Sequence, residues 1–419
     1  MNQKLSTLSS IAGLAILFGG GFVFKDVKNG NPVGKKSGTQ AAFSNKDAAG
    51  LFETEFSRIA SEYPDKSMPV TQLMYAGMSG MMSSLGDPYT TFFEPVVSEE
   101  FMNASEGKFT FGGIGARLQS DPLGVKVTQV FKGSPANKAG IKNGDLIIAV
   151  NGSEVAGQES DRIVGQIKGE VGTPVTLKLL RAGNKTVTLT IRRAQIMPPT
   201  ADSNVLEDSN IGYLLVTEFQ APTATQFLDS IKSLENQKIQ GLVIDMRNNP
   251  GGLLESAKQM LSLFLDYKVV VSMKQKSGKN RTEYTMGGFQ HNFKYPITIL
   301  INESSASAAE IFAGVMQDYK KATLVGEHSY GKASVQNVIP LTNGASAKIT
   351  IAHYLLPSGR DIGRKLDEYG GYVTGGLKPD AVVELNQGMG VAYGDPKSDN
   401  QLRAAMAVIV KKNSKAKFK

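Results

Sequence analysis

Three features of the sequence predict a multi-domain α/β protein. After Arg193, short apolar runs of strand type alternate with segments of helical period, the pattern of a layered sheet with helices packed on it. From about Phe109 to Arg193 the chain runs in short strands that alternate apolar and polar residues, with only two brief helical stretches. From about Lys46 to Ser84 the apolar residues recur at helical spacing. The predicted organisation is a leader or anchor (1–24), a tether (25–45), a helical region (46–95), a β-rich domain (105–193), an α/β core (200–390), and a C-terminal helix with a basic tail (391–419).

In chain order, Lys4 precedes an apolar run, Ile11–Phe24, that is followed by Lys25 and Lys28. The run is short for a membrane span, its Gly19-Gly20-Gly21 weakens a helix, and no clear small-residue cleavage site follows. Both a cleaved signal and an uncleaved anchor stay open, and either sends the body of the protein across a membrane. Residues 25–45, rich in Gly, Lys, Ser and Asn, read as a flexible tether.

The helical region carries Leu51, Phe52, Phe56 and Ile59, then Val70, Leu73, Met74, Met78 and Met81, with the methionines expected in packing. LGDPYTTFFEP (Leu85–Pro95) reads as a turn-rich linker, with Asp87-Pro88 favouring a turn and Pro95 ending any helix.

The β-rich domain reads as strands in FGGIGARLQ, GVKVTQVF, DLIIAVNG, PVTLKLL and KTVTLTIRR, with a hairpin turn at Ala182-Gly183-Asn184. Ser134 caps a short helix with Pro135 at its first position, and a second helix fits Glu159–Ile167. In the core, strands are predicted at IGYLLVTEF, GLVIDMR, PITILIN, Ala322–Val325, the stretch opened by Gly331-Lys332, and Ala347–Leu355. Helices are predicted at Thr223–Leu234, Leu253–Leu265, Ser305–Asp318 and Asp395–Val410, and Arg364–Gly376 as a surface loop.

Composition narrows the chemistry. The 419 residues are 41% hydrophobic and 20% charged, as in a folded globular chain, and the +8 net charge is spread thinly. It gathers only in the tail at Lys411, Lys412, Lys415, Lys417 and Lys419, with no interleaved aromatics, so nucleic-acid binding is not expected. With no cysteine there is no thiol nucleophile, disulfide frame or Cys-based zinc site. The three histidines, His291, His328 and His353, show no H-E-x-x-H pairing, so no metal is expected.

Two motifs compete for Lys332. The run from Gly326 to Ala333 nearly satisfies the phosphate-cradling G-x-x-x-x-G-K-S/T pattern. Ala333 replaces the hydroxyl that holds magnesium, and a strand-like run follows where a helix N-terminus belongs. The other reading pairs Lys332 with a serine. A serine needs an adjacent base, and a lysine serves as one where burial leaves it neutral. Val325, Tyr330, Val335 and Val338 make the surroundings of Lys332 apolar, and Gln336, on the same face of the predicted strand, can orient the amine without adding charge. In SSASAAE, Ser304 or Ser305 suits the N-cap and Ser307 then falls in the first turn, where the helix dipole favours developing negative charge. Glu310 reads as a structural first-turn acid, and the NNPGG turn, through Gly251 and Gly252, as a source of oxyanion donors.

The β-rich domain resembles a PDZ domain at Gly112-Gly113-Ile114-Gly115, at SPANKAGIKNGD and at LIIAVNG. The resemblance implies that this glycine-rich turn captures a protein's C-terminal carboxylate, with backbone N–H groups converging on the anion beside an open strand edge. With LGDPYTTFFEP, GLVIDMRNNPGG, INESSASAAEIFAGVMQD, LVGEHSYGKASVQ, LPSGR and LKPD, the chain resembles the C-terminal processing peptidases, the tail-specific, PDZ-containing serine peptidases of family S41. That implies a PDZ domain inserted between an N-terminal helical segment and a peptidase domain of the layered ClpP/crotonase-like type. It further implies Ser307 as nucleophile, Lys332 as base, Gln336 as the residue orienting the lysine, and oxyanion donors from Gly251 or Gly252 and from Ala308. The family usually has Gly where this chain has Ala333, and the loop before LKPD is longer than in many relatives.

The expected protein is an exported endopeptidase that cuts protein substrates near their C-termini without cofactor or metal. It would work in the periplasm or on the extracytoplasmic side of a membrane, with residues 8–24 as its anchor if they are not cleaved. A homo-oligomer or an adaptor protein stays open as a partner. The rival from another class is a silent PDZ scaffold that recruits tailed proteins to a different protease.

Overall fold

The computed structural model describes residues 44–64, 69–106, 111–131, 133–181, 183–276, 278, 280–367, 372–386 and 393–417. Residues 8–24 with their apolar run, the tether up to residue 43, Ala182, residues 368–371 of the predicted loop, and Lys419 lie outside them. No described helix is long and apolar enough to cross a membrane. The chain divides into two compact units, one reaching from its N-terminal part to Glu99 and including Gln336–Thr350, the other comprising Glu100–Val335 and Ile351–Lys419.

In the first unit, the helices Asn45–Glu62 and Val70–Ser83 follow the predicted helical period. Ser44 caps the first helix by accepting the Asp47 N–H, so the helix begins inside the predicted tether. On the second helix the side chains that pack are Tyr75, Met78 and Met82, while Met74 and Met81 are exposed. These three line one helical face and meet Phe92, Ala345 and Ala347. LGDPYTTFFEP is not a linker. Its Thr91–Phe93 is a strand, antiparallel to Ser346–Lys348 of the strand Ser346–Leu355. Pro95 does not end a helix but begins one, Pro95–Ser105, because the missing N–H of proline costs nothing in a first turn.

In the second unit, the PDZ-like sheet runs in the order Ala116–Asp121, Gly124–Val130, Leu146–Val150, Pro174–Arg181, Lys185–Arg192, so Ala116–Asp121 is an edge strand. Val125, Val127, Ile147, Leu177 and Leu179 close over Ile163 and Ile167 of the helix Ser160–Ile167. The predicted FGGIGARLQ strand is broken in two. Phe111–Gly113 pairs instead with Ala194–Ile196, and the chain turns at Ile114-Gly115.

The core sheet has the order Ala201–Val205, Ile211–Val216, Gly241–Asp245, Ile297–Ile301, Thr323–Gly326, Ala381–Val382. Only the first pair is antiparallel. Parallel strands covered on both faces read as unbroken apolar runs, and period-2 alternation sorts their side chains. Leu214, Leu242, Ile244, Ile299 and Leu324 face a core shared with the helices Thr223–Asn236, Leu254–Ser262 and Ala308–Asp318. Tyr213, Val243, Leu300 and Val325 face Leu402, Ala405 and Ile409 of the C-terminal helix Asn400–Lys417. Each of these fully buried aliphatic side chains stabilises the fold by about 1.5–3 kcal/mol.

The strand Val269–Gln275 and its hairpin partner Asn280–Tyr284 went unpredicted, and residues 352–355 pair with the former. The predicted loop at Arg364–Gly376 carries a small ladder, Lys365–Leu366 against Tyr372–Thr374.

Candidate active site

Strand ends and helix starts meet at the C-terminal ends of the central core strands. The strand Ile297–Ile301 leads through Asn302–Ala306 to Ser307, which sits at the N-cap of the helix Ala308–Asp318 with φ 54° and ψ −117°. That backbone conformation is unfavourable for a residue with a Cβ and persists only where surrounding bonds hold it. The cap is therefore Ser307 itself, not Ser304 or Ser305. Ser305 Oγ is committed elsewhere, donating to the Met246 carbonyl at 2.8 Å and accepting the Asn302 N–H at 3.0 Å.

The NNPGG turn is locked against this loop by amide side chains. Asn302 Oδ1 accepts the Asn248 N–H at 2.9 Å, and Asn302 Nδ2 donates to Asn248 Oδ1 at 2.9 Å. The Ala306 N–H donates to the Asn249 carbonyl at 2.9 Å, while Asn249 Nδ2 donates to the Val216 carbonyl at 2.8 Å. Gly251, with φ 97°, packs so tightly that a Cβ there would stand 2.7 Å from Ala306 O and 2.8 Å from both Ala308 N and Ser307 Cβ. The two glycines differ in what their N–H groups do. That of Gly251 donates to Asn249 Oδ1 at 2.9 Å. Those of Gly252 and Ala308 have no partner among the described residues.

Glu310 does more than decorate the first turn of its helix. Wholly buried, it accepts four hydrogen bonds from two segments: the Ser307 N–H at 2.8 Å, the Ser329 hydroxyl at 2.5 Å, the Gly331 N–H at 2.6 Å and the Lys332 N–H at 2.8 Å. Four donors saturate the lone pairs of one carboxylate. Burial pushes its pKa above the usual carboxylate range, and the four donors pull the other way. Ser307 and Lys332 share a single oxygen of this group, Oε2.

Lys332 precedes the strand Ser334–Pro340 rather than lying on it, so strand alternation does not relate it to Gln336. Its segment is pinned by the Tyr354 hydroxyl, which donates to the Lys332 carbonyl at 2.7 Å, and its half-buried side chain sits between the buried Gly331 and Ala333. The N–H groups a phosphate loop would present, those of Gly331 and Lys332, are committed to Glu310. A cavity of about 760 Å³ opens beside this segment, lined in part by Glu303, His328, Tyr330 and Arg364. Gln336 lies in the first unit, where its Nε2 donates to Thr350 Oγ1 at 3.1 Å.

A buried charge network that sequence reasoning missed lies under the NNPGG turn. Arg247 donates to Asp245 and to Asp399, each at 2.6 Å, and to Gln401 at 2.9 Å, and stacks under the Tyr393 ring. Burial alone would lower the Arg247 pKa; the two carboxylates hold it above its ordinary value. The network joins the end of the strand Gly241–Asp245 to the C-terminal helix. An arginine two residues after the aspartate that ends a buried strand was the only local signal.

In the PDZ-like domain the Gly112 carbonyl accepts the Gly169 N–H, the Ile114 carbonyl that of Ala136, and the Gly115 carbonyl both the Phe131 N–H and the Ser134 hydroxyl. Gly112 and Gly113 belong to the ladder with Ala194–Ile196. The N–H groups of Ile114 and Gly115 have no partner among the described residues, and Gly115 has φ 79°. Two consecutive open donors thus stand immediately before the edge strand Ala116–Asp121. No cluster of three or more His, Asp or Glu side chains that could hold a metal ion occurs among the described residues.

Comparison with known proteins agrees with this arrangement. Residues 210–383 match the model of peptidase family S41, and residues 112–192 that of the PDZ domain. The chain is 32% identical to carboxy-terminal processing protease CtpB of Bacillus subtilis over 375 residues, covering 87% of this chain and 76% of the relative. It is 35% identical to CtpA of the same organism over 331 residues, covering 79% and 68%. An S41 protease of Bacteroides fragilis of known structure shares the fold with a TM-score of 0.53 at 15% identity, covering 83% of this chain and 92% of that one. The chain belongs to peptidase family S41, among the carboxy-terminal processing proteases, and is a serine-type peptidase with a PDZ domain.

Proposed function

We propose that Ser307 and Lys332 form the catalytic dyad of an endopeptidase that cuts proteins near their C-termini, and that the PDZ domain holds the substrate's tail. The observation that carries this reading is the shared Glu310 oxygen, which brings the backbones of Ser307 and Lys332 to one buried point. Neutral Lys332 takes the Ser307 hydroxyl proton as the oxygen attacks the scissile carbonyl. The N–H groups of Gly252 and Ala308 receive the developing oxyanion, since Gly251 has spent its own on Asn249. The amine leaves with the proton from Lys332, and a water activated by the same lysine releases the acyl group. Gln336 keeps the lysine amine oriented without charging it. No step calls on a cofactor or metal.

Tail capture follows from the open donors at Ile114 and Gly115. A terminal carboxylate accepts both, and the preceding residues add as a strand to Ala116–Asp121. Residues 8–24, with the apolar run Ile11–Phe24, anchor the enzyme in its membrane with the folded body on the extracytoplasmic side. Fractionation with and without residues 1–24 tests this, and protein that stays with the membrane after their removal speaks against it.

Labelling with a fluorophosphonate serine probe tests the chemistry. Label is expected on Ser307, lost in Ser307→Ala and reduced by at least ~10³-fold in rate in Lys332→Ala, while both variants still bind a tailed peptide. Cleavage of that peptide by either variant at the native rate would sink the dyad. An unlabelled native enzyme that binds tails would leave the scaffold reading standing.

A further inference from the structure

The LGDPYTTFF motif has no part in the scheme above, yet it is tied to Gln336. Within the first unit a run of hydrogen bonds leads from Asp87 to the glutamine amide. Asp87 Oδ1 accepts the Tyr89 N–H at 3.0 Å and Oδ2 accepts the Thr90 hydroxyl at 2.7 Å. The Thr90 oxygen, buried to 6% exposure, accepts the Thr350 N–H at 3.0 Å. The Thr350 oxygen accepts the Gln336 Nε2–H at 3.1 Å. Thr350 and Gln336 lie on paired strands.

The run has a fixed polarity. An ionised carboxylate can only accept, so Asp87 compels the Thr90 hydroxyl to point its proton inward and turn a lone pair to the Thr350 N–H. That bond sets where Thr350 sits on its strand, and hence where its hydroxyl meets the Gln336 amide. An amide has a donating and an accepting end. With Nε2 donating to Thr350, Oε1 is the accepting end of the amide, the one that can meet an N–H of an amine. Lys348 lies within electrostatic reach of Asp87 and over the Phe93 ring, so a cation steadies the carboxylate from the neighbouring strand. The short strand Thr91–Phe93 keeps the two halves in register, pairing Thr91 with Lys348 and Phe93 with Ser346.

We infer that Asp87, Thr90 and Thr350 are positioning residues that hold the Gln336 amide in the orientation needed to receive the catalytic lysine's N–H, an inference that rests on the proposed role of Gln336. A linker with no such role would tolerate loss of these polar groups as long as the fold held.

The test is a double-mutant cycle in the full chain, with kcat and KM measured on one tailed peptide and Tm followed throughout. Thr350→Val is expected to lower kcat by about 10- to 100-fold, as misplacement of a catalytic group does, with KM and Tm near native. Thr350→Ser, which keeps the oxygen, recovers most of the rate. Gln336→Ala falls by a similar factor, and Gln336→Ala/Thr350→Val is no slower than Gln336→Ala alone, because the threonine acts only through the amide. Thr90→Val, which removes the Thr350 N–H acceptor at nearly constant shape, falls less than Thr350→Val and couples to Gln336→Ala in the same way. If Gln336→Ala is slow while Thr350→Val is as fast as native, or if the two losses simply multiply, the relay is wrong and the role of Gln336 stands. If Gln336→Ala is itself as fast as native, that role falls and the relay with it.

Discussion

Two turns of the second unit, Ile114-Gly115 and the pair Gly252 with Ala308, offer open backbone N–H groups to an anion, but they are built differently. The PDZ turn is contiguous. Its two donors are neighbours in sequence, and their carbonyls are pinned by Ala136, Phe131 and Ser134 of the same domain. The proposed oxyanion pair is composite, with one donor from the NNPGG turn and the other from the start of a helix after a different strand. Nothing covalent and local holds the two at a working distance. Asn248, Asn249 and Asn302 do so, together with the close seat of Gly251 and the four bonds to Glu310. A stable carboxylate in a ground-state complex tolerates a compact nest. A transition-state charge needs donors placed before it forms, and here that placement depends on many distant residues. Changes far from the chemistry should therefore harm turnover and spare tail binding.

The sharpest way to break that contrast is Glu310→Ala. It strips the partner from four donors at once, each buried orphan costing about 1–3 kcal/mol. We expect kcat to fall at least ~10³-fold and Tm to drop, with the affinity of the PDZ groove for a tail unchanged by calorimetry. Glu310→Gln should fall between this variant and native, because its NH₂ end cannot accept. Equal losses in tail affinity and kcat would show that the two anion sites are not independent.

Gly251→Ala should come next. The added methyl lands 2.7–2.8 Å from Ala306 O, Ala308 N and Ser307 Cβ, two of them backbone atoms of the Ser307 loop that cannot swing away. A kcat loss of about 10²-fold with native tail affinity is expected in steady-state assays. The mirror experiment is Gly112→Ala, whose Cβ would stand 1.8 Å from the Gly169 carbonyl. That clash displaces the strand leading into Ile114-Gly115. Tail affinity should weaken about tenfold, near 1.4 kcal/mol, while kcat at saturating substrate stays near native. A kcat loss larger than the affinity loss would place Gly112 among the catalytic supports.

How much of this was legible in the sequence divides along the same line. The PDZ strands after FGGIGARLQ, the Ser134 cap and the alternation of strand and helix in the core are local patterns, and they lie where they were expected. What escaped was set by partners far along the chain. Three serines all suit an N-cap, and only the bonds of Ser305 to Met246 and Asn302 put Ser307 there. Glu310 looked like a capping acid because its other donors, Ser329, Gly331 and Lys332, come from beyond the next strand. Thr91–Phe93 is three residues between two prolines, too short for alternation to show, and its partner strand lies near the far end of the core. Val269–Gln275 opens on an apolar run, but its hairpin partner Asn280–Tyr284 is polar up to Tyr284 and buries Glu283, so no apolar alternation marks the pair.

The smallest effect expected on chemistry concerns the Arg247 network, which ties the composite site to the C-terminal helix. Asp399 is buried, which by itself would raise its pKa, but its bonds to Arg247 and to the N–H groups of Leu402 and Gly394 hold it below the usual aspartate value. A carboxyl whose pKa is depressed on folding contributes stability that is fully present above its unfolded pKa, about 3.9, and is lost as pH falls through the lower folded value. Asp399→Asn should thus cost about 2 kcal/mol at neutral pH. The gap in Tm from native should narrow below about pH 4, where the wild-type carboxyl also gains its proton. Arg247 still has Asp245, so kcat should change only a few-fold. If the gap stays constant from pH 7 down to pH 3, Asp399 supports the helix by shape, and the charge is not what couples the C-terminal helix to the NNPGG turn.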